Sequence, residues 1–131
     1  MLAVMLIMWA RHDRYQPAKW MTPEAAVDAI QSQNLKGNGL HHLNYGAYLI
    51  FRGIPVFMDA RIDLYKDAGM NRYLQIEKAS DPNILTREFD RWDIQWTLFP
   101  KHSQINLLLR ANPLWEKIHE DDQSVVFSRV N

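Results

Sequence analysis

Breaker residues divide the chain from Thr22 to Arg129 into short stretches that alternate between helical and extended patterning, and this order points to an α/β layer fold. Thr22-Pro23-Glu24 predicts a helix start, with Thr22 as N-cap, Pro23 at the first helical position and Glu24 near the positive end. Ala26, Val27 and Ile30 supply its apolar stripe, and the Asn/Gly-rich stretch Asn34 to Gly39 ends it. Leu40 to Asn44 reads as a short strand, and Tyr45 to Phe51 as a short helix closed by Gly53. Ile54 to Asp59, apolar and ending in an acid, reads as a buried parallel strand. Helical spacing returns over Leu64 to Ala79 and again at Leu85, Phe89 and Trp92. Ile94 to Phe99 alternates and is rich in β-formers, Ser103 precedes a helix over Gln104 to Ala111, and the stretches from Trp115 and from Ser124 pair as a hairpin. The expected fold is a three-layer α/β sandwich: a mostly parallel central sheet of about five strands, helices on both faces, and a C-terminal antiparallel hairpin at one edge.

Residues 1–10, Met-Leu-Ala-Val-Met-Leu-Ile-Met-Trp-Ala, stand apart as an unbroken apolar run that stops at Arg11-His12-Asp13-Arg14. As a helix it would span about 15 Å, half of a bilayer's hydrocarbon core. No basic residue precedes it and no small-x-small pattern follows, so a signal peptide is a poor match. A buried core element, an interfacial anchor and the end of a transmembrane helix all fit this run. The division expected is 1–10 apolar segment, 11–21 linker and 22–131 soluble α/β domain. With 15 Lys+Arg against 15 Asp+Glu, no global field draws the chain to nucleic acid, and a nucleic-acid partner is not expected. The absence of cysteine removes disulfides, thiolate nucleophiles and thiolate zinc sites.

Ligands of open α/β sheets meet the carboxyl ends of strands, which directs attention to Asp59, Arg61, Asp63 and Tyr65 after the expected second strand. Two carboxylates flanking a guanidinium suit a sugar, a phosphate or a cation, and suit equally an Arg–Asp network that ties a loop to a sheet. A second polar cluster, His41-His42 with Asn44 and Tyr45, follows the first strand. Neighbouring histidines on a strand point to opposite faces and make a poor metal pair, so one buried and one exposed histidine is the expectation. Neither a G-x-S-x-G elbow nor a phosphate-binding glycine loop occurs. No catalytic residue, metal or cofactor is therefore expected. Trp92, Trp96 and Trp115 fall where the patterns turn inward and read as core rather than as sugar platforms. Glu120-Asp121-Asp122 reads as a solvated turn.

Asn44-Tyr45-Gly46-Ala47-Tyr48-Leu49-Ile50, followed by Pro55-Val56-Phe57-Met58-Asp59-Ala60-Arg61-Ile62-Asp63-Leu64-Tyr65, resembles the soluble C-terminal domain of polytopic bacterial membrane proteins related to GT-C glycosyltransferases, which are similar to protein mannosyltransferases. Pro23-Glu24-Ala25-Ala26, Phe89 to Ile94 and Trp115 to Asp121 match further stretches of the same pattern, so the resemblance covers about residues 22 to 130. The chain departs from it at Ala47 and Ala60, where the pattern has glycine. The resemblance implies a non-catalytic, membrane-proximal domain accessory to sugar transfer from a lipid-linked donor, because the catalytic acid of such enzymes belongs to their membrane portion. It implies that residues 1–10 are the end of a transmembrane helix, and that the partners are the membrane, through that run and an upstream membrane portion, and a glycan or lipid-linked sugar. The location implied is the bacterial inner membrane, with the soluble domain periplasmic or extracellular. Two other classes compete: a free-standing small α/β enzyme or binding domain using the Asp59/Arg61/Asp63 loop, and an interaction module docking through Val125 to Phe127 as an edge strand.

Overall fold

The computed structural model describes residues 17–57 and 66–130. A 3-10 turn at Lys19–Met21 leads to α1 (Glu24–Ser32), β1 (Asn38–His41), a second 3-10 turn at Leu43–Tyr45 and α2 (Gly46–Phe51). Then follow α3 (Lys66–Glu77), α4 (Ile84–Arg91), β2 (Ile94–Pro100), α5 (Gln104–Ala111), β3 (Trp115–Glu120) and β4 (Ser124–Arg129). The four strands form one sheet in the order β1-β2-β4-β3. β1 and β2 run parallel, with Leu40 opposite Thr97 and His41 opposite Leu98. β2 and β4, and β4 and β3, pair antiparallel.

Side-chain alternation along the central strands divides the core between the two faces of the sheet. Trp96 and Leu98 of β2 and Val126 of β4 pack with Ala26, Val27 and Ile30 of α1 and with Tyr45 and Leu49. On the other face Phe99, Val125 and Phe127 pack with Tyr73 and Ile76 of α3, Leu85 and Phe89 of α4, and Ile105 and Leu109 of α5. Helix ends follow from their cap residues. After α1, Asn34 takes a left-handed φ of 53°, its N–H reaches the Gln31 carbonyl, and the Leu35 N–H reaches that of Ile30. Gly53, at φ 75°, closes α2 in the same way, with its own N–H on Ile50 and that of Ile54 on Leu49. In both cases the residue past the cap, Leu35 or Ile54, packs back against the α1 side of the core.

Three expectations need correction. The sheet has four strands among the described residues, not five, and is not mostly parallel: one parallel pair is joined by two antiparallel ones. The expected strand from Ile54 makes no ladder over Ile54 to Phe57. Its apolar side chains are used differently, since Ile54 and Val56 pack against the α1 side of the core and Phe57 against the other side. Val125 to Phe127 is not an edge, because β4 lies between β2 and β3. Minor shifts accompany these: α1 begins at Glu24, with Pro23 in the capping position, and the Thr22 hydroxyl bonds back to the Lys19 carbonyl. No helix of the described residues is long and apolar enough to cross a membrane. The run 1–10 and most of the linker lie outside the described residues.

Candidate functional site

The carboxyl end of β1 passes directly into the 3-10 turn and α2, so this junction is where the fold concentrates polar side chains. His41 is buried and its Nδ1 makes a 3.0 Å bond to the His42 carbonyl. His42 Nδ1 accepts the Asn44 N–H at 3.2 Å, so the ring proton sits on Nε2, which meets Glu77 Oε1 at 3.0 Å. Both nitrogens of His42 are thus engaged in holding the turn and bracing it against α3. The expectation of one buried and one exposed histidine holds for His41, while His42 is partly covered, at 21% side-chain exposure. Tyr73 of α3 adds a second brace: its hydroxyl donates to the His41 carbonyl at 3.3 Å and accepts the Leu43 N–H at 3.1 Å. Burial and the charge of Glu77 push the Tyr73 phenol pKa far up, so this donor stays protonated.

Asn44 and Tyr45 are neighbours that point to different places. Tyr45 is 1% exposed and belongs to the core, where burial and the negative charge of Asp121 push its phenol up to about 12. Asp121 is itself tied down, accepting the N–H groups of Gln123 and Ser124 on Oδ1 and the His119 ring on Oδ2 at 2.8 Å. Burial raises the Asp121 carboxyl and these bonds lower it, the bonds winning. Asn44 instead faces a cleft of about 620 Å³ together with Ala47, Tyr48 and Phe51. These four stand at i, i+3, i+4 and i+7, one continuous stripe of the turn and helix, while Tyr45, Gly46 and Leu49 form the buried stripe. Lys19 and Met21 of the first 3-10 turn, with Pro17, Thr22 and Glu24, complete the lining. Arg52 fixes the α2 wall: its guanidinium bonds Tyr48 Oη at 2.9 Å, Asp28 Oδ1 at 2.6 Å and Gln31 Oε1 at 2.7 Å, joining α2 to α1. The Gln123 amide bonds the Lys19 carbonyl and ties the other wall to the β3–β4 turn.

Of the expected site residues, Asn44 lines the cleft, Tyr45 is a core residue, and Asp59, Arg61, Asp63 and Tyr65 lie outside the described residues. Among the described residues no group of three or more His, Asp or Glu side chains is arranged to hold a metal ion. Trp96 and Trp115 are core, as expected, but Trp92 is 38% exposed, edge-on to Phe57 and beneath Arg91. The Glu120-Asp121-Asp122 turn is more than solvated: Glu120 pairs with Arg110 and Lys117, each at 2.6 Å. The Arg52 and Asp121 clusters were missed by sequence reasoning. The His119-x-Asp121 spacing at a hairpin turn was a usable signal for the second; Arg52 gave none, since its partners lie on another helix.

Comparison with family models, curated proteins and solved structures finds no match for this chain.

Proposed function

We propose that residues 22–131 form a non-catalytic, membrane-proximal α/β domain of a GT-C-like, glycosyltransferase-related protein of the bacterial inner membrane, on its periplasmic or extracellular side. In this reading the domain is accessory to transfer of sugar from a lipid-linked donor. The motif resemblance of residues 44–50 and 55–65 motivates it. The observation that carries it is the position of the cleft: its walls include Pro17, the first described residue of the linker that follows the apolar run, and its α2 side presents the rings of Tyr48 and Phe51 beside the Asn44 amide. Aromatic rings beside an amide, with Lys19, Thr22 and Glu24 also on the lining, are suited to holding a glycan or the polar end of a lipid-borne sugar. The engagement of both His42 nitrogens agrees with a scaffolding role for that histidine.

The source DNA upstream of Met1 tests this reading. Several hydrophobic spans of about 20 residues in the same frame are expected. Their absence would refute it.

A further inference from the structure

Three of the seven large apolar side chains exposed among the described residues belong to, or adjoin in sequence, the walls of the cleft and mark that corner of the domain. Phe51 is 81% exposed, Ile50 50% and Trp20 59%, and Trp20 sits between Lys19 and Met21, which line the same cleft as Phe51. Phe51 and Tyr48 stack at 6.1 Å, so the α2 part of this surface is one aromatic face. The rigid framework beneath it, Arg52 bridging α1 and α2 and Gln123 holding the Lys19 carbonyl, spends several hydrogen bonds on presenting residues that bury little of themselves. A patch of this kind marks a contact surface.

We propose that this corner, Trp20, Ile50 and Phe51, seats in the interfacial layer of the bilayer and sets the domain's orientation on it. The proposal rests on the membrane-proximal reading above and adds which face of the domain meets lipid. Tether length is the first argument. Seven residue steps separate Ala10, the end of the apolar run, from Pro17, and a fully extended chain covers at most about 25 Å in that distance. With the run inserted, Pro17 stays within that distance of the membrane, and the cleft it lines with Phe51 is held near the surface. Charge is the second: between the apolar run and α1 the sequence carries Arg11, Arg14 and Lys19 against Asp13, and with Glu24 of the cleft counted the excess is still basic, which suits anionic headgroups. Residue type is the third, since tryptophan and other aromatics favour the layer between headgroups and acyl chains.

The absence of cysteine makes the test clean. Single cysteines are placed at Trp20→Cys, Phe51→Cys and Thr86→Cys, the last an exposed site on α4 across the sheet, and each is spin-labelled in the full chain. The chains are mixed with vesicles of phosphatidylethanolamine and phosphatidylglycerol, separated by flotation, and their label accessibility to oxygen and to a water-soluble nickel chelate is measured. The expected result is a severalfold rise in the oxygen-to-nickel ratio at positions 20 and 51 on vesicle binding, with position 86 unchanged. If the chain floats but all three labels stay equally water-accessible, this orientation is wrong while the membrane-proximal reading stands. If the chain does not float, both fall. Dipolar broadening at position 51 that grows with the protein-to-lipid ratio would assign the patch to a second copy of the chain and also overturn the proposal.

Discussion

Gly39→Ala is a one-methyl perturbation whose consequence follows from the packing of β1 on β2. A Cβ at Gly39 would lie 2.0, 2.1 and 2.3 Å from Cζ2, Cε2 and Cη2 of its register partner Trp96. Carbon atoms make contact at about 3.5 Å, so the indole must retreat by about 1.5 Å. It has little room: Trp96 is 2% exposed and packed in the cluster that contains Val27, Tyr45 and Leu49. Retreat also breaks the 3.2 Å bond that the indole N–H donates to the Gly37 carbonyl. Overpacking of a core costs about 1–3 kcal/mol and the hydrogen bond about 1 kcal/mol. Replacing glycine offsets about 0.4–1 kcal/mol by restricting the unfolded chain. The net loss expected is about 2–3 kcal/mol, or a fall in Tm of about 10 °C at this chain length. Urea unfolding followed by far-UV circular dichroism measures it without relying on the tryptophan that moves. In a Trp96→Leu background, where no indole occupies the space, the same Gly39→Ala change should cost less than 0.5 kcal/mol. Equal costs in the two backgrounds would refute the reasoning, because the loss would then not come from the indole.

Two titrations test the electrostatics of the β3–β4 hairpin. The hydrogen bonds from Arg110 and Lys117 hold the Glu120 carboxyl at about 2, below its ordinary value of 4.5. A depressed folded value means that the stabilisation is complete above pH 4.5 and is lost as pH falls toward 2. Arg110→Ala should return the Glu120 midpoint, read from side-chain carboxyl NMR shifts, toward 4.5, and an unmoved midpoint would eliminate Arg110 as the cause. Tyr45 has the opposite sign: its folded value of about 12 lies above the ordinary 10, so its contribution is complete below pH 10 and fades as pH rises to 12. Asp121→Asn should lower the Tyr45 midpoint in an ultraviolet tyrosinate titration while leaving it above 10, since burial is the larger cause; a midpoint at or below 10 would reverse that ranking.

Elements bounded by specific backbone chemistry were legible in the sequence. α5 spans Gln104–Ala111 as expected, with Ser103 in the capping position although its side chain makes no capping bond and with Asn112-Pro113 at the other end, and α1 and α2 stop where Asn34 and Gly53 can adopt positive φ. Ile54 to Phe57 was misread for a physical reason. An apolar run records only that its side chains are buried, and here the burial is divided between two sides of the core as the chain passes from α2 toward α3. The position of β4 had a signal that went unused: Ser124, Val125, Val126 and Phe127 are all buried, and three apolar residues in succession suit an internal strand covered on both faces better than an edge. Within the site, Asn44 was legible from its place after β1. The partners of Tyr45 and Arg52 were not, because Asp121 and Asp28 reach them through tertiary packing that no local spacing encodes.

The stripe geometry also sets what a methyl group at position 47 meets. Gly46 is buried in the stripe that faces the core, whereas Ala47 is exposed in the stripe with Asn44, Tyr48 and Phe51. A methyl group added at 47 therefore projects into the cleft and disturbs no packing beneath the helix. Its effect falls on ligand space, narrowing the cleft beside the Asn44 amide by about one methyl group.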